Sequence, residues 1–336
     1  MVSPVSRDRG CLSCHDGIED MHPWMALSCT DCHGGNGDAK TVERAHVLPL
    51  KGWPKDERVM HPSFDPAAVR FRNPSDLRVA DKTCASCHGS LVEHLGSSLH
   101  GTTAGHLNDG LFENGVNPTR QAVYSIFAVN DDDVRDPHGL SSLKSIEQLR
   151  GASAEKELGD HFADLPKKAC MQCHLWSEGF GLTGRLGQDG LYRGAGCAAC
   201  HVPYGEDGLS RSADTTIDRF EPGHPLRHEL TGAPTTATCT HCHVGDASIG
   251  NAFRGLAQLY PQMPAGPNVP GTTDHLIAGQ FFVKDEQLTP SDVHHAAGMD
   301  CIDCHTRRDV MGDGDIYGAM EHGVEIECTS CHGTAN

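Results

Sequence analysis

A loop-rich fold with short α-helices and little β-structure is predicted for this 336-residue chain, on three observations. Aromatic residues make up only 5% and hydrophobic residues 38%, while 38 glycines and 19 prolines interrupt regular elements, so apolar surface for a large conventional core is scarce. The sixteen cysteines are used with complete regularity: every one falls inside one of eight Cys-x-x-Cys-His pentapeptides. The pentapeptides start 18, 55, 86, 27, 42, 62 and 27 residues apart, so they follow no fixed period and the chain is not an array of identical modules.

In chain order the motifs are I (Cys11, Cys14, His15), II (Cys29, Cys32, His33), III (Cys84, Cys87, His88), IV (Cys170, Cys173, His174), V (Cys197, Cys200, His201), VI (Cys239, Cys242, His243), VII (Cys301, Cys304, His305) and VIII (Cys328, Cys331, His332). Each reads as a c-type haem attachment site. Two thiols three residues apart on one turn can add across the two vinyl groups of a haem, and the next imidazole then lies over the porphyrin as the proximal iron ligand. Other uses of Cys-x-x-Cys fit less well. A zinc ribbon needs two pairs per metal and no histidine after each, and a thioredoxin-type site occurs once. A disulfide framework places no demand on the following residue, and with 23 histidines in the chain, histidine after all eight pairs has a chance probability of roughly one in a billion.

Eight covalent haems (haem c) supply the flat apolar faces that the composition lacks, so the expected fold is haem-cored. With 336 residues for eight motifs, about 42 residues serve each haem, too few to surround each separately, and the haems are expected to touch or nearly touch. The short steps suggest pairs: I with II, IV with V, VII with VIII. No domain boundary is evident, and residues 1–336 are read as one multihaem body.

Turn signals punctuate the intervals, among them Gly34-Gly35-Asn36-Gly37, Asn73-Pro74, Asn114-Gly115 and Pro264-Ala265-Gly266-Pro267. Ser142 to Leu158 carries Leu143, Ile146 and Leu149 at helical spacing and predicts an amphipathic helix, and Gln121 to Val129, rich in Val, Tyr, Ile and Phe, predicts a short strand. The turns just after each motif are expected to be helical for one or two turns.

The sixth ligand of each iron separates conduction from catalysis, since a second strong ligand closes the metal. Eight of the 23 histidines are proximal, which leaves fifteen, and histidine is about three times as frequent here as in average proteins. The predicted ligand set is bis-histidine at all eight irons. His22, His294 and His322 each lie six or seven residues before a motif, a spacing that lets one segment ligate one haem and attach its neighbour. His224 and His228 sit in a proline-bounded turn. His46, His106 and His161 complete the eight, with His275, His61 and His138 as substitutes, while His295 and His241 read as supporting or exposed. Met311-Gly-Asp313-Gly-Asp315 has the flavour of a calcium loop but lacks that loop's remaining ligands, and reads as a solvated turn. No catalytic triad, phosphate loop or carboxylate pair can be argued from spacing, so no catalytic residue is assigned.

The formal charge of −18, made more negative by haem propionates, argues against nucleic acid and anionic membranes as partners. No apolar run approaches eighteen residues, so no membrane span is expected. Because haem is joined to such motifs outside the prokaryotic cytoplasm, the protein is expected to be exported, to the cell surface or periplasm, and Met1-Val2-Ser3-Pro4-Val5 reads as the start of a mature or truncated form.

The eight motifs resemble those of octahaem c-type cytochromes. The stretches Asn73-Pro-Ser-Asp-Leu-Arg78, Tyr192-Arg-Gly-Ala-Gly-Cys197, Glu221-Pro-Gly-His-Pro225 and Met299-Asp-Cys301-Ile-Asp-Cys-His305 with Met311-Gly-Asp-Gly314 look like those of exported multihaem cytochromes of environmental bacteria. That resemblance implies cofactor content more firmly than role. One group of octahaem cytochromes is catalytic, acting on nitrite, hydroxylamine or tetrathionate. Another conducts, some members polymerising into extracellular haem-stacked filaments. The nitrite-reducing relatives commonly mark an open haem with lysine in place of the motif histidine, and no such motif occurs here. The sequence therefore points to electron transfer between haems, either as a filament subunit or as a soluble carrier, with other redox proteins or extracellular acceptors as partners. An octahaem oxidoreductase with one open haem is the alternative.

Overall fold

The computed structural model describes residues 8–47, 65–146, 175, 192–205, 207–243, 249–259, 275–278 and 290–334. Motif IV and His161 lie outside the described residues, as does His61. What is described is mostly short helices and loops with two small sheets, the loop-rich, β-poor fold expected from the composition.

The helices are α1 (Arg9–Leu12), α2 (Cys29–His33), α3 (Val42–Ala45), α4 (Pro66–Arg72), α5 (Ala85–Ser97), α6 (Leu99–Thr102), α7 (Ala104–Glu113), α8 (Ala198–His201), α9 (Thr236–Cys239), α10 (Ile249–Arg254), α11 (Val293–Ala296), α12 (Arg307–Met311), α13 (Met320–Gly323) and α14 (Cys328–His332). Helices were expected just after each motif. Instead α2 and α14 begin at the first cysteine and span the pentapeptide, α1 and α9 overlap only its first residues, and α5 and α8 begin one residue after the first cysteine. At motifs II and VIII the cause is local, because the residue before the first cysteine is the N-cap. Ser28 Oγ accepts from the Asp31 N–H at 3.1 Å, and Asp31 returns the bond by accepting from the Ser28 N–H at 2.8 Å, a complete capping box. Related bonds run from the Asp300 N–H to Asp303 and from the Glu327 N–H to Ser330.

Among the described motifs, only at motif III does a long helix continue beyond the pentapeptide, and it kinks at His88 (φ −116°, ψ 33°).

The first sheet contains β1 (Tyr124–Ser125), β2 (Val129–Asn130) and β3 (Ser142–Ser145) in the order β1-β3-β2, with β1 parallel and β2 antiparallel to β3. A second, two-stranded sheet pairs β4 (Leu256–Leu259) with β5 (His275–Ala278), which contains His275. The strand predicted over Gln121 to Val129 is thus two short strands, broken where Ser125 turns its hydroxyl back to the Phe127 carbonyl.

The helix predicted from Ser142 is a strand at its start, over Ser142–Ser145. Leu143 is buried against Ala104, Ala122 and Ile316, with Val129 and Leu140 beside them, while its neighbours Ser142 and Lys144 are exposed. Alternation across this sheet outweighed the three-residue spacing of Leu143, Ile146 and Leu149.

Asn108 on α7 ties this cluster together. Its Nδ2 donates to the Ala104 carbonyl and the Tyr124 carbonyl, both at 2.7 Å, and its Oδ1 accepts from the Val123 and Tyr124 N–H groups. The side chain is 1% exposed. Asn108→Ala leaves these backbone groups without partners and is expected to lower stability by about 2–3 kcal/mol, read as a fall in the urea midpoint with the slope unchanged.

A second apolar cluster joins Leu95, Leu175 and Ala199, with Leu77 and Cys197 packed on it. It sits beside a docking of two distant stretches. The Cys197 N–H donates to the Ser75 carbonyl, the Ala198 N–H to Ser75 Oγ, and Asn73 Nδ2 to the Ala195 carbonyl. Asn73–Arg78 is therefore the seat on which the motif V turn rests.

Candidate haem-attachment centres

Seven of the eight motifs lie among the described residues, and they share one turn geometry. In motifs I, III, V, VI and VII the histidine N–H donates to the carbonyl of the first cysteine at 2.8–3.0 Å, an i to i+4 bond that brings that cysteine and the imidazole to one side of the turn. Cys11, Cys29, Cys84, Cys197, Cys239 and Cys301 are free thiols.

The imidazoles are then fixed through one nitrogen. Nδ1 of His33 donates to the Phe71 carbonyl and Nδ1 of His201 to the Thr231 carbonyl, both at 2.8 Å. Nδ1 of His15 lies 2.9 Å from Asp214 Oδ2, and Nδ1 of His305 lies 2.5 Å from Asp309 Oδ2. Such bonds place the proton on Nδ1 and leave Nε2 as a lone-pair donor, the arrangement of metal-bound histidine. The Asp309 bond also holds the His305 imidazole above its usual pKa, while burial lowers that of His33.

Non-motif histidines face four of the motif imidazoles, those of His15, His33, His243 and His332. Ring centroids are 6.2 Å apart for His15 and His46, 6.0 Å for His33 and His228, 6.0 Å for His100 and His243, and 5.8 Å for His294 and His332. Two imidazoles bound to one metal at about 2 Å each have centroids roughly 6 Å apart, so all four separations fit a pair sharing an iron. Several of the facing residues are anchored through Nδ1 as well: His228 to the Glu19 carbonyl at 3.0 Å, His100 to the Val310 carbonyl at 3.0 Å and His294 to Asp292 at 2.8 Å. His22 lies close enough to His88 that burial and that imidazole together depress its pKa.

The other candidates fall elsewhere. His322 stacks on His138 at 4.6 Å with the rings 10° from parallel, the separation of ring-on-ring contact and not of two ligands about one metal, and its buried Nδ1 has no hydrogen-bond partner. His106 is exposed on α7, and the His224 N–H donates to the Gly208 carbonyl. His241 is buried within its motif, and His295 packs its ring edge to face against Phe253.

Three residues of the site escaped the sequence reading. His100, on the short helix capped by Ser98, carries no local signal that separates it from the other surplus histidines. Asp214 is 199 residues from His15. Asp309 was legible, since it lies four residues after His305 and a helical turn there sets the two side chains together.

The motifs also meet one another. One ligand atom each from Asp8, Cys11 and Cys29 lies within 4.8 Å of the others, which brings motifs I and II together. The Cys84 and Cys197 thiols push one another's pKa in opposite directions, as do those of Cys239 and Cys301, which places III near V and VI near VII. Cys32 lies near Cys84, Cys200 near Cys242, and Cys304 near Cys331. Of the pairs predicted from spacing, the I–II and VII–VIII motifs lie near one another and IV–V falls outside the described residues, while the III–V and VI–VII proximities were not anticipated by spacing.

The Asp313 and Asp315 carboxylates are occupied by protein donors. Asp315 accepts the Arg135 and Asp136 N–H groups at 2.9 and 3.0 Å, and Asp313 Oδ2 accepts Arg308 Nε at 2.6 Å and the Tyr317 hydroxyl at 3.1 Å. Asp315 is buried. This segment is a staple between residues 135–136 and the C-terminal region, not the solvated turn expected from its sequence.

Among the described residues no helix is long and apolar enough to cross a membrane. No family model, curated protein or solved structure matches the chain.

Proposed function

We propose that the chain is an exported octahaem c-type cytochrome that carries electrons along closely packed, mainly bis-histidine haems. The observation that carries this reading is the succession of motif contacts. Cysteines of I and II lie within a few ångströms of one another, and those of II and III, III and V, V and VI, VI and VII, and VII and VIII are near enough to act on one another electrostatically, so that haems on those thiols would form one row in the order of the chain.

In this reading the motif cysteines hold the haem edges and the motif histidines hold the irons from one side. His46 faces the motif I histidine, His228 that of II, His100 that of VI and His294 that of VIII, and His22 lies near that of III. When bound, the haems supply one-electron iron chemistry. The chain supplies distance and rigidity: its backbone carbonyls and carboxylates lock the imidazole planes through Nδ1, so that little has to move when an electron arrives. Two histidines on an iron also leave no place for a substrate, which favours conduction over the oxidoreductase alternative.

The deciding experiment is a mass and spectral count on the exported protein. Eight added haems with a wholly low-spin spectrum and no binding of carbon monoxide are expected. A polypeptide mass without haem defeats the reading, and a high-spin fraction that binds nitrite or carbon monoxide moves it to the enzymatic alternative. Negative-stain imaging then separates a filament subunit, which gives fibres, from a soluble carrier, which gives particles alone.

A further inference from the structure

The four Nδ1 anchors of the described motif histidines are of two kinds. His33 and His201 donate to neutral backbone carbonyls, those of Phe71 and Thr231. His15 and His305 donate to carboxylates, those of Asp214 and Asp309. Both carboxylates are buried, with side chains 2% and 7% exposed, so solvent screens them little. Asp214 is held rigidly: its Oδ1 accepts the Thr216 N–H at 2.8 Å and the Thr216 hydroxyl at 2.9 Å, and its own N–H donates to Ser212 Oγ. Asp309 is fixed four residues beyond His305 on α12.

Building on the haem reading above, we infer that Asp214 and Asp309 are positioning residues that set the haems of motifs I and VII at lower reduction potential than those of motifs II and V. A buried carboxylate on Nδ1 draws the proton from the ring, gives the imidazole anionic character and makes Nε2 a stronger donor. A stronger donor favours the ferric over the ferrous state, as does the nearby negative charge itself. A carbonyl holds the ring in the same orientation without that charge. Axial-ligand basicity and hydrogen bonding are the levers by which a protein moves a haem potential. The placement has a consequence for the row, because of the four motifs compared the two of lower potential stand at its first position and next to its last.

The exposed pair His294 and Asp292, each side chain 44% accessible, is an internal contrast, since water screens that carboxylate and its effect is expected to be smaller.

The test is a potentiometric titration, followed optically, of the holoprotein carrying D309N or D214N. Asparagine still accepts the Nδ1–H bond but without the charge. Each variant with eight haems is expected to move one-eighth of the absorbance change to more positive potential, and D309E is expected to restore the original curve. Curves that superimpose on the parent for both variants, at full haem content, overturn the inference while leaving the haem reading intact. Loss of one haem from both variants likewise overturns it, because the two aspartates would then be structural clamps alone. If the parent protein carries no haem at all, it is the haem reading that fails.

Discussion

Gly196→Ala is expected to destabilise the protein by about 3–5 kcal/mol and to reduce loading of motif V. Gly196 has φ +63°, where an L-residue with a Cβ loses about 1–2 kcal/mol. More serious is the neighbour. A Cβ built there meets the Ser75 carbonyl oxygen at 2.1 Å, the Ser75 carbonyl carbon at 2.9 Å and the Asp76 Cα at 3.0 Å, all backbone atoms that cannot swing aside. Relief requires lifting the motif V turn from its seat, which breaks the bonds from the Cys197 N–H to Ser75, from the Ala198 N–H to Ser75 Oγ and from the Gly196 N–H to Leu175. Cys197 and Ala199 also pack on the Leu95 and Leu175 cluster, so an apolar contact is lost with them. Urea denaturation followed at the haem band measures the first effect, and the mass of the secreted protein measures the second. The comparison Gly34→Ala separates clash from conformation, because Gly34 also has positive φ, at +69°, but has open space around its missing Cβ. It is expected to show the conformational part alone.

Under the proposed haem reading, His228→Ala is expected to open one iron of the eight. Its ring lies 6.0 Å from that of His33, inclined by 30°, and the two are anchored independently, His33 on the Phe71 carbonyl and His228 on the Glu19 carbonyl. Removing one imidazole therefore leaves the other in place. The expected signature is a high-spin component equal to one-eighth of the haem and binding of one equivalent of carbon monoxide, against none in the parent. His106→Ala, which removes an exposed side chain on α7, is expected to leave the spectrum unchanged. A reversed pattern would show that the paired imidazoles are not ligands of one iron.

The turn geometry of the Cys-x-x-Cys-His motifs was legible because it is local: thiol, thiol and imidazole follow one another within five residues, and at motif II the cap that shapes the turn precedes it by one residue, at Ser28. The proximity of His22 and His294 to later motifs has the same local basis, since each lies just before one motif, with His294 5.8 Å from His332 and His22 near enough to His88 to feel its charge. His100 and Asp214 were not legible, because their contacts join segments that only the folded chain brings together, and a histidine or aspartate in a loop carries no mark of what it will face. The strand at Ser142–Ser145 was missed on a different ground. Three apolar residues at helical spacing are too few to fix a period, and Leu143 follows the alternation of a sheet whose other strands come from outside the window.

The seating of motif V on Asn73–Arg78 bears on how the protein is made. Cys197 and Cys200 are half-buried in the finished fold and Cys197 packs against an apolar cluster, whereas both cysteines of motif VIII stand exposed at the C-terminal end. A lyase working on the emerging polypeptide has free access to the last motif at any time but meets a closed door at motif V once the seat has formed. Under the proposed haem reading, biogenesis acquires a timetable in which the middle of the row is loaded early and its far end can wait.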